Sequence, residues 1–300
     1  MTPRIIFNAF IILLLITASS FNKQQTVVPR YDHVIIIMEE NHGYNELIGS
    51  ANAPYINQLA QQAALFTQSH GISHPSQPNY LAIYSGSMQG ITNDACLQTI
   101  TPYTTPNLGA SLINHGLSFK GYAQTMPSEG FLDCLDTKST STGGYLYARK
   151  HCPWVDWQGT KANNIPADCS QPMTAFPKDF SKLPTVSFVI PDMDYDMHNI
   201  GDPGDDAAIK RGDKWLKDNI DAYAQWAKTH NSLLIVTFDE DDYKTMNQIP
   251  TMFIGAKVIP GKYDEKIDHY SVLHTIEAMY SLPTMADDAN AAVITDVWKK

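Results

Sequence analysis

The chain has 300 residues, an apolar fraction of 43% and a formal net charge of −10, from 21 basic and 31 acidic side chains. That is enough apolar material for a sizeable core in one large domain or two small ones. The acidic balance argues against a nucleic-acid binder, which presents a basic face, but it leaves room for a phosphate substrate at a locally positive or metal-bound site.

Residues 1–20 read as a signal peptide. Arg4 precedes an apolar run that ends at Ala18, and Ser19, Ser20 and a polar stretch follow. This basic start, apolar middle and small-residue end predict cleavage near Ala18 to Ser20. The alternative is an uncleaved anchor, for which the run is short of the roughly 20 residues a span needs. The expected location is therefore secreted or periplasmic, with no integral membrane segment after signal removal. Four cysteines remain, Cys96, Cys134, Cys152 and Cys169. An even number in an exported chain predicts two disulfides, with the pairing open. A metal site built from them is the weaker reading, because the spacings are wide and contain no C-x-x-C.

The expected elements follow in order from residue 31, and residues 31–300 read as a single domain. Tyr31 to Met38 is a continuous β-branched run of the kind a buried parallel strand uses. Pro54 to Phe66 has helical apolar spacing. His74-Pro75-Ser76-Gln77-Pro78-Asn79-Tyr80 delivers a serine to a helix start. Ser76 is expected to be its N-cap, Pro78 suits the first turn, and Ser85-Gly86-Ser87 stops the helix. Asn107 to His115 reads as a further helix. Residues 119–180 are rich in loop formers and hold three of the cysteines, so they read as a disulfide-stapled insertion. Thr185 to Ile190 and Leu233 to Phe238 are buried strands, and Pro250 to Ala256 is another. Asp213 to His230 is an amphipathic helix and Ser271 to Tyr280 a shorter one. Alternating strands and helices predict an α/β fold with a mostly parallel sheet.

The chemistry-bearing residues gather at strand ends. The first strand runs into Glu40-Asn41, the 185–190 strand is followed by Asp192, Asp194, Asp196 and His198, and the 233–238 strand ends in Asp239-Glu240. In an open α/β sheet, ligands bind beyond the carboxyl ends of the strands, so parallel neighbours would bring these groups together. Glu40, Asn41, Asp239 and Glu240 offer oxygen ligands only, which suits one hard divalent cation such as Mg²⁺, Ca²⁺ or Mn²⁺. Such an ion lowers the pKa of a serine hydroxyl and neutralises phosphate oxygens. Ser76 would complete the ligand set and act as nucleophile, with the helix start behind it as an anion site. Histidine can hold phosphate and protonate a leaving group. Asn79, in the first helical turn, could donate to phosphate or only pack. His74 could simply shape the loop. Asp192, Asp194 and Asp196 read as turn residues, with Asp196 placed to orient His198.

Met38 to Asn41, His74 to Tyr80, Val189 to His198, Val236 to Glu240 and Asp268-His269-Tyr270-Ser271 together resemble the bacterial phosphoesterase family of acid phosphatases and phosphocholine-type phospholipases C. This family is part of the alkaline-phosphatase-like superfamily. The likeness runs in order from about residue 31 to 296 and is greatest to the short secreted acid phosphatases, which include phosphatidylinositol-3-phosphate phosphatases. It implies an alkaline-phosphatase-like three-layer α/β/α sandwich. It implies a metal on Glu40, Asn41, Asp239 and Glu240 with Ser76 bridging metal and phosphorus. It implies phosphate contacts from His151 and His198, with His269 as a further phosphate-site candidate. Lys150, beside His151, is a phosphate-binding candidate that could equally be a solvated loop lysine. Asp241-Asp242 stands where the family often has glycines. Cys152 stands where asparagine is common, and a disulfide there would fix His151. The implied activity is phosphate-monoester hydrolysis through a phosphoserine on a small-molecule or lipid monoester. The alternatives are a phospholipase C acting on a diester and a non-catalytic secreted binding protein.

Overall fold

The computed structural model describes residues 28–300 apart from 138–141, 143 and 286, so the signal-peptide reading of residues 1–20 lies outside the described residues. An eight-stranded sheet runs through the centre in the order β4-β3-β5-β1-β6-β7-β2-β8. The strands are β1 (His33–Glu39), β2 (Ala64–His70), β3 (Phe119–Ala123), β4 (Ser170–Pro172), β5 (Val186–Ile190), β6 (Ser232–Phe238), β7 (Gln248–Gly255) and β8 (Gly261–Asp268). The helices are α1 (Tyr44–Leu47), α2 (Pro54–Ala60), α3 (Ser76–Ser85), α4 (Leu108–Asn114), α5 (Asp205–Ala227) and α6 (His269–Tyr280). β7 pairs antiparallel with β6 and β2, and every other strand pairing is parallel. The short 239–247 connection explains the reversal, since a parallel return would need a crossover of a dozen or more residues.

The β-branched run of β1 sits between β5 and β6, and both its faces are buried. Val34, Ile36 and Met38 enter one apolar cluster with Leu81 of α3, Leu112 of α4 and Ile276 of α6. Ile35 and Ile37 enter a second with Ile56 of α2 and Leu216 and Ile220 of α5. Alternate residues therefore feed opposite layers, as the period of a strand requires, and the result is the expected α/β/α sandwich. Among the described residues no helix is long and apolar enough to cross a membrane.

Several expectations need correction. The 54–66 helix stops at Ala60, and Ala64 begins β2. Leu65 joins the second cluster and Phe66 the first; adjacent side chains buried on opposite sides demand a strand, and pairing with β7 and β8 outweighs the helical spacing. α5 begins at Asp205, upstream of the expected Asp213, with Asp205 and Asp206 in its first turn, where acids favour the helix dipole. The 119–180 segment also contributes β3 and β4 to the sheet. The only disulfide among the described residues is Cys96–Cys134. Cys152 and Cys169 are buried free thiols, so neither a second bridge nor a bridge at Cys152 is formed. Cys152 is packed in the apolar core, and burial pushes its thiol up.

Gly121 in β3 is required by close approach rather than by its dihedrals. A Cβ there would overlap the ring of Trp154, which is fully buried and donates from Nε1 to Ser170 Oγ at 3.0 Å. The ring cannot retreat without giving up that bond. Gly121→Ala should therefore destabilise the fold by about 1–3 kcal/mol, as overpacked cores do. A lower urea midpoint at unchanged slope is the expected reading; an unchanged midpoint would mean that the ring is free to shift.

Candidate active site

The carboxyl ends of β1 and β6, which are parallel neighbours, carry Glu40-Asn41 and Asp239-Glu240 to one place. The main chain crosslinks the two ends: Asn41 N–H donates to Asp239 Oδ1 at 3.0 Å, and Glu240 N–H donates to the same oxygen at 2.7 Å. Asn41 holds φ at 53°, a left-handed conformation that asparagine tolerates better than most residues.

α3 brings Ser76 to this junction. All ten of its residues are buried, and Gly86 closes it in the left-handed conformation, as the sequence predicts. Ser76, however, is the first helical residue and not the cap; Pro75 holds the cap position and makes no side-chain cap bond. Asp94 Oδ1 instead accepts the Gln77 N–H at 3.0 Å. The Ser76 hydroxyl is thereby left to the site. It donates to Glu40 Oε2 at 3.0 Å, and Glu240 Oε1 lies at 3.4 Å.

A second group closes in from β5 and the 149–151 turn. His151 Nε2 lies 3.1 Å from Glu40 Oε1, and its Nδ1 lies 3.2 Å from Asp196 Oδ2. Asp196 Oδ1 accepts the His198 backbone N–H at 2.9 Å, so this acid fixes the main chain there and backs the His151 ring, while the His198 ring has Asn199 Oδ1 at 3.3 Å from Nδ1. His198 Nε2 is 3.3 Å from Lys150 Nζ, which donates to Asp94 Oδ2 at 2.6 Å. Ser76, Glu40, Glu240, Asp239, His151, His198 and Lys150 thus converge through short contacts.

Two expected phosphate contacts are placed differently. Asn79 Oδ1 accepts the N–H groups of Ile72 (2.8 Å) and Ser73 (3.0 Å), and Nδ2 donates to Ser73 O at 2.8 Å. Its amide holds the loop before Ser76, and only a 3.5 Å contact reaches Glu240 Oε2. His269, at the start of α6, puts Nε2 2.7 Å from the carbonyl oxygen of Asp239. It braces the main chain of a candidate ligand. Tyr80 was not singled out in the sequence, yet its hydroxyl donates to Glu40 Oε1 at 2.5 Å and its ring stacks on His151 at 4.9 Å. The available signal is its spacing, four residues after Ser76 and on the same helix face. His74 shapes the loop and also places Nδ1 2.7 Å from Glu240 Oε2.

Burial dominates the electrostatics. It pushes Glu40 well up, reinforced by Asp239 and Asp196. It pushes Asp239 up to about 6 and Glu240 up to about 9, the latter reinforced by Asp239. Burial, then the Lys150 ammonium, drives His151 well down and His198 down to about 4. Burial works against the Lys150 ammonium, but Glu40 and Asp94 outweigh it and raise its pKa. The protein alone therefore resists ionising these carboxylates, a resistance that a bound cation would reverse.

The donors fit such a cation. Asp239 Oδ2 is buried and has no hydrogen-bond partner among the described residues, and the surrounding oxygens of Glu40, Glu240 and Ser76 are hard ligands. Glu40, His151 and His198 form an overlapping group that could hold a metal ion, one ligand atom from each lying within 4.8 Å of the others.

The model of the Phosphoesterase family matches residues 50–283. A phosphatidylinositol-3-phosphatase of Mycobacterium tuberculosis is 45% identical over 91% of the chain and 85% of its own length. A probable acid phosphatase of Kluyveromyces lactis is 28% identical over 88% of the chain and 62% of its length. An acid phosphatase of Aspergillus fumigatus is 28% identical over 87% of the chain and 58% of its length. The chain thus spans about three-fifths of these two fungal relatives. An alkaline phosphatase superfamily protein from Vibrio parahaemolyticus superposes with a TM-score of 0.58 at 12% identity, covering 88% of this chain and 70% of that one. The lipoteichoic acid synthase LtaP of Listeria monocytogenes gives 0.57, again at 12% identity, over 88% and 76%. These two likenesses show the fold.

Proposed function

The chain belongs to the Phosphoesterase family, and from that premise we propose that it is a secreted, metal-dependent acid phosphatase that transfers phosphate from a monoester to Ser76 and then to water. The observation that carries this reading is the Ser76 hydroxyl, placed at the start of a buried helix and 3.0 Å from Glu40.

In the first step Ser76 Oγ forms a bond to phosphorus while the bond to the leaving oxygen breaks. Glu40 Oε2 aligns Oγ and is the first acceptor for its proton. The start of α3 stabilises charge on the transferring phosphate. Lys150 supplies a cation at the edge of the site, and His151, stacked on Tyr80 with Nδ1 on Asp196, reaches phosphate by exchanging its Nε2 contact with Glu40 for a phosphate oxygen. His198 is less enclosed than His151 and is the better placed to protonate the leaving oxygen. In the second step neutral His198 takes a proton from the attacking water, the Oγ–phosphorus bond breaks and Ser76 regains its proton from Glu40. Glu40, Asn41, Asp239, Glu240 and Ser76 would hold one hard divalent ion, Mg²⁺, Ca²⁺ or Mn²⁺. When bound, it supplies charge neutralisation at the phosphate and a more acidic serine hydroxyl.

A protonated His198 is needed for the first step, and its pKa lies low in the free protein. Activity should accordingly be lost as pH rises, which fits an acid phosphatase. Export of the chain, through residues 1–20 as a cleaved signal, accords with the Cys96–Cys134 disulfide, since such bonds persist in oxidising compartments.

The substrate named for the mycobacterial relative makes phosphatidylinositol 3-phosphate the first candidate. A phosphate-release screen across inositol phospholipids, nucleotides and sugar phosphates tests the reading, with phosphatidylcholine as the diester control. Release of inorganic phosphate from monoesters and no phosphocholine is the expected result. Faster cleavage of phosphatidylcholine would establish the phospholipase C alternative.

A further inference from the structure

His198 sits in the loop between β5 and α5, and α5 holds that loop from outside the catalytic cluster. Met197 is fully buried at φ 79° and packs on Gly212, where a Cβ would lie 2.5 Å from its Cε. One residue earlier on the helix, Arg211 reaches across the loop. Its Nε donates to Asp194 O at 3.2 Å, and its Nη2 donates to Asn199 O at 2.7 Å and Ile200 O at 2.9 Å. These carbonyls lie on either side of His198 in the chain, so one guanidinium closes the loop around that residue. The planar fork suits the task; a lysine ammonium is a point charge with no second arm.

Asn199 carries this hold to the ring. Its Nδ2 donates to Asp194 Oδ1 at 2.9 Å and to Tyr145 O at 3.1 Å. That turns its Oδ1 toward His198 Nδ1, 3.3 Å away. An amide oxygen only accepts, so Nδ1 carries the proton of the neutral imidazole. On the far side of the ring, Nε2 faces the Lys150 ammonium at 3.3 Å. An ammonium only donates, which requires the same tautomer. A ring held in this way exchanges a proton at Nε2 alone.

Resting on the acid role given to His198 above, we propose that Arg211 is the positioning residue of that acid: its clasp on Asp194, Asn199 and Ile200 keeps the Asn199 amide on Nδ1 and leaves Nε2 as the proton-exchanging atom. The leaving oxygen takes the Nε2 proton as its bond to phosphorus breaks, and the ring ends neutral with its Nδ1–H still donated to Asn199. Arg211 also lines a surface cavity of about 420 Å³, with Gln124, Tyr195 and Trp215. A small cation can therefore reach the place of the guanidinium from solvent once the side chain is removed.

Two esters separate positioning from simple bracing of the fold. An acid matters for myo-inositol 3-phosphate, whose alkoxide leaves poorly, and little for p-nitrophenyl phosphate, whose phenolate leaves unaided. Arg211→Ala should lower kcat/KM by roughly 10²-fold on the first ester and by about threefold or less on the second, as loss of acid catalysis does. Millimolar guanidinium should recover most of the first loss, and the same concentration of Na⁺ should not. His198→Ala should show the same selectivity with no recovery. If Arg211→Ala does not fold, Arg211→Lys carries the comparison, because its ammonium serves one side of the loop only. Long-range proton–nitrogen spectra of histidine-labelled protein in Mg²⁺ read the ring without turnover. His198 should be a single Nδ1–H tautomer in the native protein, a mixture in Arg211→Ala, and single again with guanidinium. An unchanged tautomer would overturn the positioning role, and so would equal losses on both esters while His198→Ala stays selective. A tautomer change with recovery, but no ester selectivity in either variant, would overturn the acid role of His198 and still support the clasp.

Discussion

Replacing Ser76 with alanine should lower kcat/KM for monoester hydrolysis by about 10⁴-fold or more, the scale on which loss of a covalent nucleophile acts. The substitution removes one oxygen. α3 should survive it, because Ser76 makes no capping bond and the Gln77 N–H is served by Asp94. An unchanged unfolding transition alongside lost turnover would separate chemistry from folding. Ligand binding should persist in the variant, since Lys150, His151 and His198 remain. This also tests the binding-protein alternative, under which the native protein releases no phosphate and Ser76→Ala changes neither ligand binding nor biological effect.

The second large effect concerns the cation. Asp239→Asn should abolish metal binding and lower turnover by a comparable factor. Asp239 Oδ2 is a buried carboxylate oxygen with no hydrogen-bond partner within bonding distance among the described residues, and an amide there removes its charge. The readout is the stability of the native protein. Mg²⁺, Ca²⁺ or Mn²⁺ at a hundredfold excess over its Kd should stabilise the stripped protein by ~2.7 kcal/mol, a rise of roughly 5–10 °C in Tm for a chain of this size. The rise should vanish in Asp239→Asn and persist in His198→Ala. The reverse pattern would place the ion on Glu40, His151 and His198. Full activity in a preparation shown by elemental analysis to be metal-free would remove the cation from the mechanism.

The site was legible to the extent that strand ends announce themselves. β1, β5 and β6 are largely β-branched or apolar runs followed within two residues by acids, so a shared carboxyl end for Glu40, Asp192 and Asp239 is expected once the strands are parallel neighbours, while the 191–198 loop that carries His198 inward is not read from that pattern. What resisted reading depends on partners remote in sequence. The Asn79 amide is engaged by Ile72 and Ser73, and His269 by a carbonyl thirty residues earlier; neither motif contains a trace of that use. Ser76 resembles a cap, but Asp94 takes over part of the capping role from a separate loop. β8 carries no apolar run, because Lys262, Asp264, Glu265, Lys266 and Asp268 fill it with charge, as suits an edge strand that must not pair further. β3 was hidden by Gly121, whose purpose appears only once Trp154 lies against it.

The phosphoserine is the centre of this account, and the stereochemical course at phosphorus tests it most directly. A monoester made chiral with three oxygen isotopes, turned over in the presence of an acceptor alcohol, yields a new ester whose configuration records the number of displacements. Transfer through Ser76 involves two in-line steps and predicts net retention. Net inversion would mean that the acceptor attacks the substrate directly, and would contradict a phosphoserine intermediate.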